Sequence, residues 1–291
     1  MPRPYPLSSP AMACDTAFRV VARRCLLDLT ANHAATCRGD PEALHQMRVA
    51  LARLRTAISF FSPMVSDPQR MRIRRELKWL HTHLGTVRDL DVAIERIETT
   101  GKVRPQDCRS WKAKRAERHR RLAHAIRSPR YRHLIKDASD WVESGPWAIK
   151  KGTRSVARRA FPIAAYSADK LMRWQEKLVK KSRKLRDLGV KKRHRLRLLN
   201  KKCHYSTEFF ADLFGNEGLL RQRAALKYLR RAQKALGELN DVAKGQSLAA
   251  ALERDGIRVS LQFPGRKRQE RLIHRAAAAY RKLAALKPLR V

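Results

Sequence analysis

The sequence predicts an all-α chain built as two related, antiparallel helical bundles with a basic groove between them. Three observations carry that expectation. Apolar residues recur at helical spacing along most of the chain, the two halves share an internal repeat, and Lys and Arg line up beside the apolar stripes.

In chain order, residues 1–12 carry Pro2, Pro4, Pro6 and Pro10 but no apolar stretch of the kind a signal peptide needs, so they read as a flexible arm. Residues 13–143 form the first bundle. Met47, Leu51, Leu54, Ile58 and Phe61 step by alternating fours and threes, and Ile73, Leu77, Leu80, Leu84 and Val87 follow a similar rhythm, which is the narrow stripe of a bundle helix. Breakers at Ser62-Pro63, Asp67-Pro68, 101–105 and Ser128-Pro129 cut this half into helix-length pieces. Residues 144–168, with Ser144-Gly145-Pro146 and Phe161-Pro162, read as a loop-rich connection, and 169–291 as the second bundle, broken at Gly215 to Gly218 and Pro264-Gly265. The best candidate for a strand is 257–263, ended by Pro264.

The repeat sets the two halves side by side. His45-Gln46-Met47-Arg48-Val49, followed by Arg53, Phe60 and Phe61, returns 149 residues later as His194-Arg195-Leu196-Arg197-Leu198, then Lys202, Phe209 and Phe210. Leu84-Gly85-Thr86-Val87-Arg88-Asp89-Leu90 returns as Leu236-Gly237-Glu238-Leu239-Asn240-Asp241-Val242 at an offset of 152, which one small insertion explains.

Charge points to the partner. The chain has 66 Lys and Arg against 26 Asp and Glu, a formal +40, on a background that is 43% hydrophobic and therefore folds. Repulsion at that density calls for an anion to offset it. Residues three, four and seven apart share a helix face. His45, Arg48 and Arg55 form a strip beside the Met47–Leu54 stripe, matched in the second half by His194, Arg197, Lys201 and His204. Arg74, Lys78, His81 and Arg88 form another, with Lys227, Arg230, Arg231 and Lys234 as its repeat partners. Arg173, Lys177, Lys180 and Lys184 fall on one face of a segment with 15 cations and two acids, 170–202. Strips that flank the core instead of opposing it face a cleft between helices.

Little suggests catalysis or metal. His81 and His83 point to different sides of a helix, no His-Glu-x-x-His, phosphate-loop or nucleophile-elbow motif occurs, and carboxylates that could hold a catalytic metal are few, the set Asp89, Asp91 and Glu95 lying next to Arg88. Asp89 is expected to orient an arginine. No catalytic residue, metal site or cofactor is therefore expected. The five scattered cysteines form neither a disulfide framework nor a zinc site and point to the reducing cytosol. No run of 18 apolar residues could span a membrane.

The paired motifs His45-x-x-Arg48, with Arg53-Leu54-Arg55, and Leu84-Gly85-x-Val87-Arg88-Asp89-Leu90-Asp91 resemble the CHAD family, named for a conserved histidine α-helical domain. His194-x-x-Arg197 and Leu236-Gly237-x-x-Asn240-Asp241 fit its weaker repeat. The resemblance covers roughly residues 13–286 and implies a stand-alone member: two pseudo-symmetric bundles, a basic central groove or pore that binds inorganic polyphosphate, no catalysis, and a role in directing proteins to polyphosphate granules. Carried over by position, it implies His45, Arg48, Arg53 and Arg55, then His194, Arg197, Lys201, Lys202 and His204, as the binding set. One departure is Ala52, where the family's first-half helix carries a further cation; its second-half counterpart is Lys201, which shifts weight to the C-terminal half. A nucleic-acid binder and a protein of granule or membrane surfaces are the rival readings. The first wants stacking aromatics beside the cations. The second asks only for amphipathic basic helices.

Overall fold

Several of the prolines and glycines that break the apolar pattern turn out to start helices. In the computed structural model, which describes residues 7, 9–100, 105–254 and 263–289, Pro41, Pro68, Pro105 and Pro129 are each the first residue of a helix, where the missing N–H costs nothing. The order is α1 (Cys14–Ala31), α2 (His33–Arg38), α3 (Pro41–Phe60), α4 (Pro68–Thr100), α5 (Pro105–Arg127), α6 (Pro129–Ser144), α7 (Thr153–Ala160), α8 (Ile163–Ser182), α9 (Val190–Phe210), α10 (Asn216–Arg254) and α11 (Arg266–Ala284). Among the described residues there is no strand, only an isolated bridge between Ala13 and Pro162. The all-α expectation holds. The candidate strand 257–263 lies outside the described residues except for Phe263.

Local signals place the helices that carry the basic strips. Gly39 closes α2 at φ 96°, a left-handed conformation that suits glycine, and Asp40 then caps α3 by accepting from the Glu42 and Ala43 amides at 2.8 and 3.1 Å. Asp67 caps the start of α4 from its Oδ1, 2.7 Å from the Arg70 amide, and its Oδ2 accepts from the buried Trp141 indole at 3.0 Å. Gly218, expected as part of a breaker, instead lies in the first turn of α10; a Cβ there would sit 2.6 Å from the Phe214 Cβ, so the helix start needs a glycine for space.

α1, α3, α4, α5 and α6 pack into one bundle, and α8, α9, α10 and α11 into the other. Across the join α3 meets α9, α4 meets α10, and α1 meets α8. The repeat is visible in register, since His45 is the fifth residue of α3 and His194 the fifth of α9. The repeated aromatic pairs also meet: the Phe60 and Phe210 rings lie 5.0 Å apart and Phe61 and Phe210 6.0 Å apart. As a result the first core does not stop at the boundary. Phe18, Phe60, Phe61, Trp141 and Trp147 continue into Tyr205, Phe209, Phe210 and Phe214, while Leu178, Leu196, Leu229, Leu236, Leu272 and Tyr280 make a second core.

Two segments differ from the expected pattern. The loop-rich stretch 144–168 holds α7, and α8 starts within it at Ile163. The end of the N-terminal arm is tied down, not loose. Pro10 and Met12 carbonyls accept from the Ala164 and Ile163 amides at 3.1 and 2.8 Å, satisfying donors that the start of α8 leaves open.

Candidate functional site: a cation cluster where four helices meet

The junction of α3, α4, α9 and α10 gathers cations from both halves. Arg48 on α3 lies against α4, where Gly85 leaves room for it: a Cβ at that position would stand 3.1 Å from Arg48 Nη1. The repeat glycine, Gly237, has open space around it, so the pseudo-symmetry is broken at this point. Arg48 feels the charges of Arg88 and Arg197, opposed by Asp89, and burial is the largest influence weakening its hold on its proton. Arg48 Nη1, Arg197 Nε and His81 Nδ1 are buried and make no hydrogen bond to any described residue. Buried polar groups without partners are costly.

Lys201, one turn beyond Arg197 on α9, is the most perturbed cation. Burial, then Arg197 and Arg48, hold its ammonium down to about 7, with Lys244 acting in the same direction and Asp241 against it. Burial also lowers His81 to about 4, assisted by Arg55, Arg48 and Lys201, so its ring is neutral near pH 7. His45 is pushed down by burial first and then by Arg88. Toward one end the cluster runs on through Arg55, Arg74, Lys202 and Lys177. Arg55 is lowered by burial and then by Arg74, and Lys202 by burial and then by Arg74, Arg55 and Lys177. Lys202 also donates to Ser59 Oγ at 3.2 Å, joining α9 to α3, and stands over the Trp174 ring at 5.9 Å.

A second set of predicted residues is engaged within the protein. Glu208, with an 11% exposed side chain, accepts from Arg53 of the first half at 3.0 Å and from Arg230 of the second at 3.1 Å. Arg230 Nε lies 3.2 Å from His204 Nε2. His204 is buried, and that burial brings it to about 4 in spite of Glu208 beside it, so it is no cation at neutral pH. Arg53 further lies 5.6 Å from the Tyr205 ring centre. His194 donates from Nδ1 to Asn240 Oδ1 at 2.7 Å, with the Asn240 amide nitrogen turned to Asp241 at 3.4 Å. Arg173 pairs with Asp169 on its own helix, and Lys78 and Lys227 are exposed on α4 and α10.

The expected role of Asp89 needs correcting. Both its oxygens take Lys244 Nζ at 2.7 Å, so it braces α4 to α10 instead of orienting an arginine. The reason is the crossing of α4 and α10, which brings two residues 155 positions apart face to face. Asp91 accepts from Arg115 of α5 at 2.8 Å. Among the described residues no group of three His, Cys, Asp or Glu could hold a metal ion, and no helix is long and apolar enough to cross a membrane.

The CHAD domain family matches residues 20–250 of the chain. The chain belongs to the CHAD domain family. Family membership carries a general link to polyphosphate binding. The CHAD fold is seen again in the crystal structure of the CHAD domain from the plant Ricinus communis, at a TM-score of 0.77 and 24% identity, covering 100% of this chain and 99% of that one. PptA from Streptomyces chartreusis is similar at a TM-score of 0.56 and 15% identity, over 94% of this chain and 96% of that one. No curated protein matches the chain.

Within this CHAD chain, sequence reasoning missed Glu208, Lys244 and Tyr205. Lys244 had a signal: it lies four residues after Asn240 and seven after Gly237, on the face of α10 that carries the repeat motif. Glu208 had one too, as a lone acid four residues beyond His204 on an otherwise basic strip.

Glu208→Gln tests the engaged set. It removes the carboxylate that pairs with the mostly buried Arg53 and with Arg230, so the free protein is expected to lose about 2 kcal/mol of stability in urea unfolding. Because the Glu208 charge no longer offsets these arginines, an added polyanion is expected to restore the loss and to bind more tightly than to the unaltered chain. Unchanged stability would mean that Glu208 is no strut.

Proposed function

We propose that this protein binds inorganic polyphosphate without catalysing a reaction, along a groove at the junction of α3, α4, α9 and α10, and that binding directs it to polyphosphate stores. The observation that carries the reading is the set of buried nitrogens on Arg48, Arg197 and His81 without a hydrogen-bond partner among the described residues, beside the crowded Lys201. A chain with one negative charge per phosphate and no bases needs cations in a row and little else. The contributing residues are His45, Arg48, Arg55, Arg74, His81, Arg88, Lys177, Arg197, Lys201, Lys202 and Lys244, with His194, Arg53, Arg230 and His204 holding the frame. Counterion release supplies much of the affinity, by analogy with DNA.

Aromatic placement weighs against a nucleic-acid ligand. Phe60, Phe61, Phe209 and Phe210 are buried in the core, and Tyr205 and Trp174 lie against Arg53 and Lys202. They offer no free platform for bases.

The test is a competition assay with labelled long-chain polyphosphate, challenged in turn with duplex DNA, RNA, anionic vesicles and ATP at fixed salt. Unlabelled polyphosphate is expected to displace the label at concentrations at least tenfold below any other competitor, counted per phosphate. Displacement by RNA or DNA at equal concentration would replace this reading with a nucleic-acid one.

A further inference from the structure

α7, the start of α8 and the loop after α3 line a cavity of about 550 Å³, bordered by Arg173 of the predicted α8 strip, within the range of small-ligand sites. Its floor is apolar. The half-buried Tyr166 ring stacks on the fully buried Phe61 at 5.7 Å, with Met64 and Cys14 buried beside them and Phe161, 49% exposed, at the edge. The polar tips on this floor are neutral or tied off. The Tyr166 hydroxyl donates to the Phe60 carbonyl at 2.7 Å, and burial pushes the Cys14 thiol up to about 12.

The rim is the opposite. Arg154, Arg158, Lys170 and Arg173 line it against one carboxylate, Asp169. Arg173 takes that carboxylate, and Arg158 donates to the Pro63 carbonyl at 2.9 Å. Arg154 and Lys170 are left as the cations at the mouth. Lys170 is half-buried, and its ammonium is weakened by burial and then by Arg173. An anionic group there would relieve both effects.

We propose that this cavity is a binding site for a single-chain amphiphilic anion, an alkyl phosphate or fatty carboxylate. The tail lies along Pro63, Met64, Phe161 and Tyr166, and the head group meets Lys170 and the arginines of α7. Either part alone is insufficient: the rim has too few cations to hold a small free anion, and an uncharged tail leaves the rim repulsion in place. The site is independent of the polyphosphate reading.

The probe is dodecyl phosphate, kept below its micelle concentration and titrated into the full chain while the Met64 methyl resonance is followed by NMR. Saturable one-to-one binding that shifts Met64 is expected, and excess long-chain polyphosphate should not reverse the shift. Dodecanol and inorganic phosphate are each expected to bind at least tenfold more weakly. Lys170→Glu should weaken dodecyl phosphate by at least tenfold and leave dodecanol unchanged, and Ala165→Trp, which fills the cavity, should weaken both. The proposal is overturned if dodecanol binds as well as dodecyl phosphate, or if polyphosphate reverses the Met64 shift. It also fails if Met64 does not respond in the unaltered chain, a reading that needs no variant to fold. Binding to anionic phospholipid vesicles without binding of the free amphiphile would make this face a bilayer contact and would likewise end it.

Discussion

Replacing Arg48 and Arg197 together with alanine is expected to lower affinity for long-chain polyphosphate by at least a hundredfold while leaving the helices intact. Each guanidinium has a buried nitrogen with no acceptor among the described residues. Hydrogen bonds to charged groups are worth about 1.5–3 kcal/mol each, so losing both arginines removes roughly 3–6 kcal/mol of binding. The free protein should not suffer equally. The two guanidiniums crowd each other and Lys201, with Asp89 and Asp241 as the acids opposing them. Their removal relieves repulsion as well as deleting packing from the aliphatic stems, and the melting temperature is expected to hold or rise. Lys282→Ala, at an exposed site on α11, serves as the control and should change affinity less than twofold. Fluorescence anisotropy with labelled polyphosphate and far-UV circular dichroism provide the readings. Loss of helical signal in the double variant would make both arginines structural, and equal loss of affinity from Lys282→Ala would mean a diffuse basic surface.

The second large effect is one of pH. Lys201 sits at about 7 in the folded protein, against 10.5 as its ordinary value. A lysine whose folded pKa is depressed destabilises the fold wherever the unfolded chain keeps it protonated. Between about pH 7 and 10.5 the unfolded state binds more protons than the folded one, so stability rises with pH across that window. The penalty is fully present below pH 7 and is relieved as Lys201 loses its proton, by roughly 3 kcal/mol after allowance for the solvent that reaches the side chain. His81, held to about 4, stays neutral throughout this range and does not mask the effect. Bound polyphosphate favours the ammonium and reverses the shift. Affinity is therefore expected to be nearly flat below pH 7 and to fall by up to tenfold per unit above it, with a proton taken up on binding. Calorimetry at pH 8 in two buffers of different ionisation enthalpy measures that proton directly. In Lys201→Met the uptake should vanish and the rise of stability between pH 7 and 10 should flatten. If the variant keeps both, another group is responsible.

Much of this was legible in the sequence for a simple reason. Helix faces follow from spacing alone, so the stripes Met47–Phe61 and Ile73–Val87 and the cations beside them could be placed before any tertiary information. The repeat went further and set His45 and His194 at the same turn of α3 and α9. What spacing cannot give is the residue that faces a strip from another helix. Arg53 read as a binding cation until Glu208, 155 positions away, proved to hold it. Asp89 met Lys244 at the same separation for the same reason. His204 carries the right spacing for the strip, yet its place on the helix turns it into the buried wall, where desolvation removes its charge. Arg173 and Lys177 share a strip on α8, but Asp169 occupies the first while the second reaches Lys202. Tertiary crowding, not composition, separates the cations left open to a ligand from those that brace the fold.

The most direct measurement is thermal unfolding with long-chain polyphosphate, triphosphate and duplex DNA, at equal phosphate concentration and matched ionic strength. A ligand that spans α3 and α4 of one half and α9 and α10 of the other stabilises the native state by mass action, about 2.7 kcal/mol at a hundredfold excess over Kd. Long-chain polyphosphate is expected to raise the melting temperature well above the level given by triphosphate, which is too short to bridge the halves, or by a duplex too wide to lie between helices. Equal protection by triphosphate would contradict an extended site, and greater protection by DNA would contradict polyphosphate as its ligand.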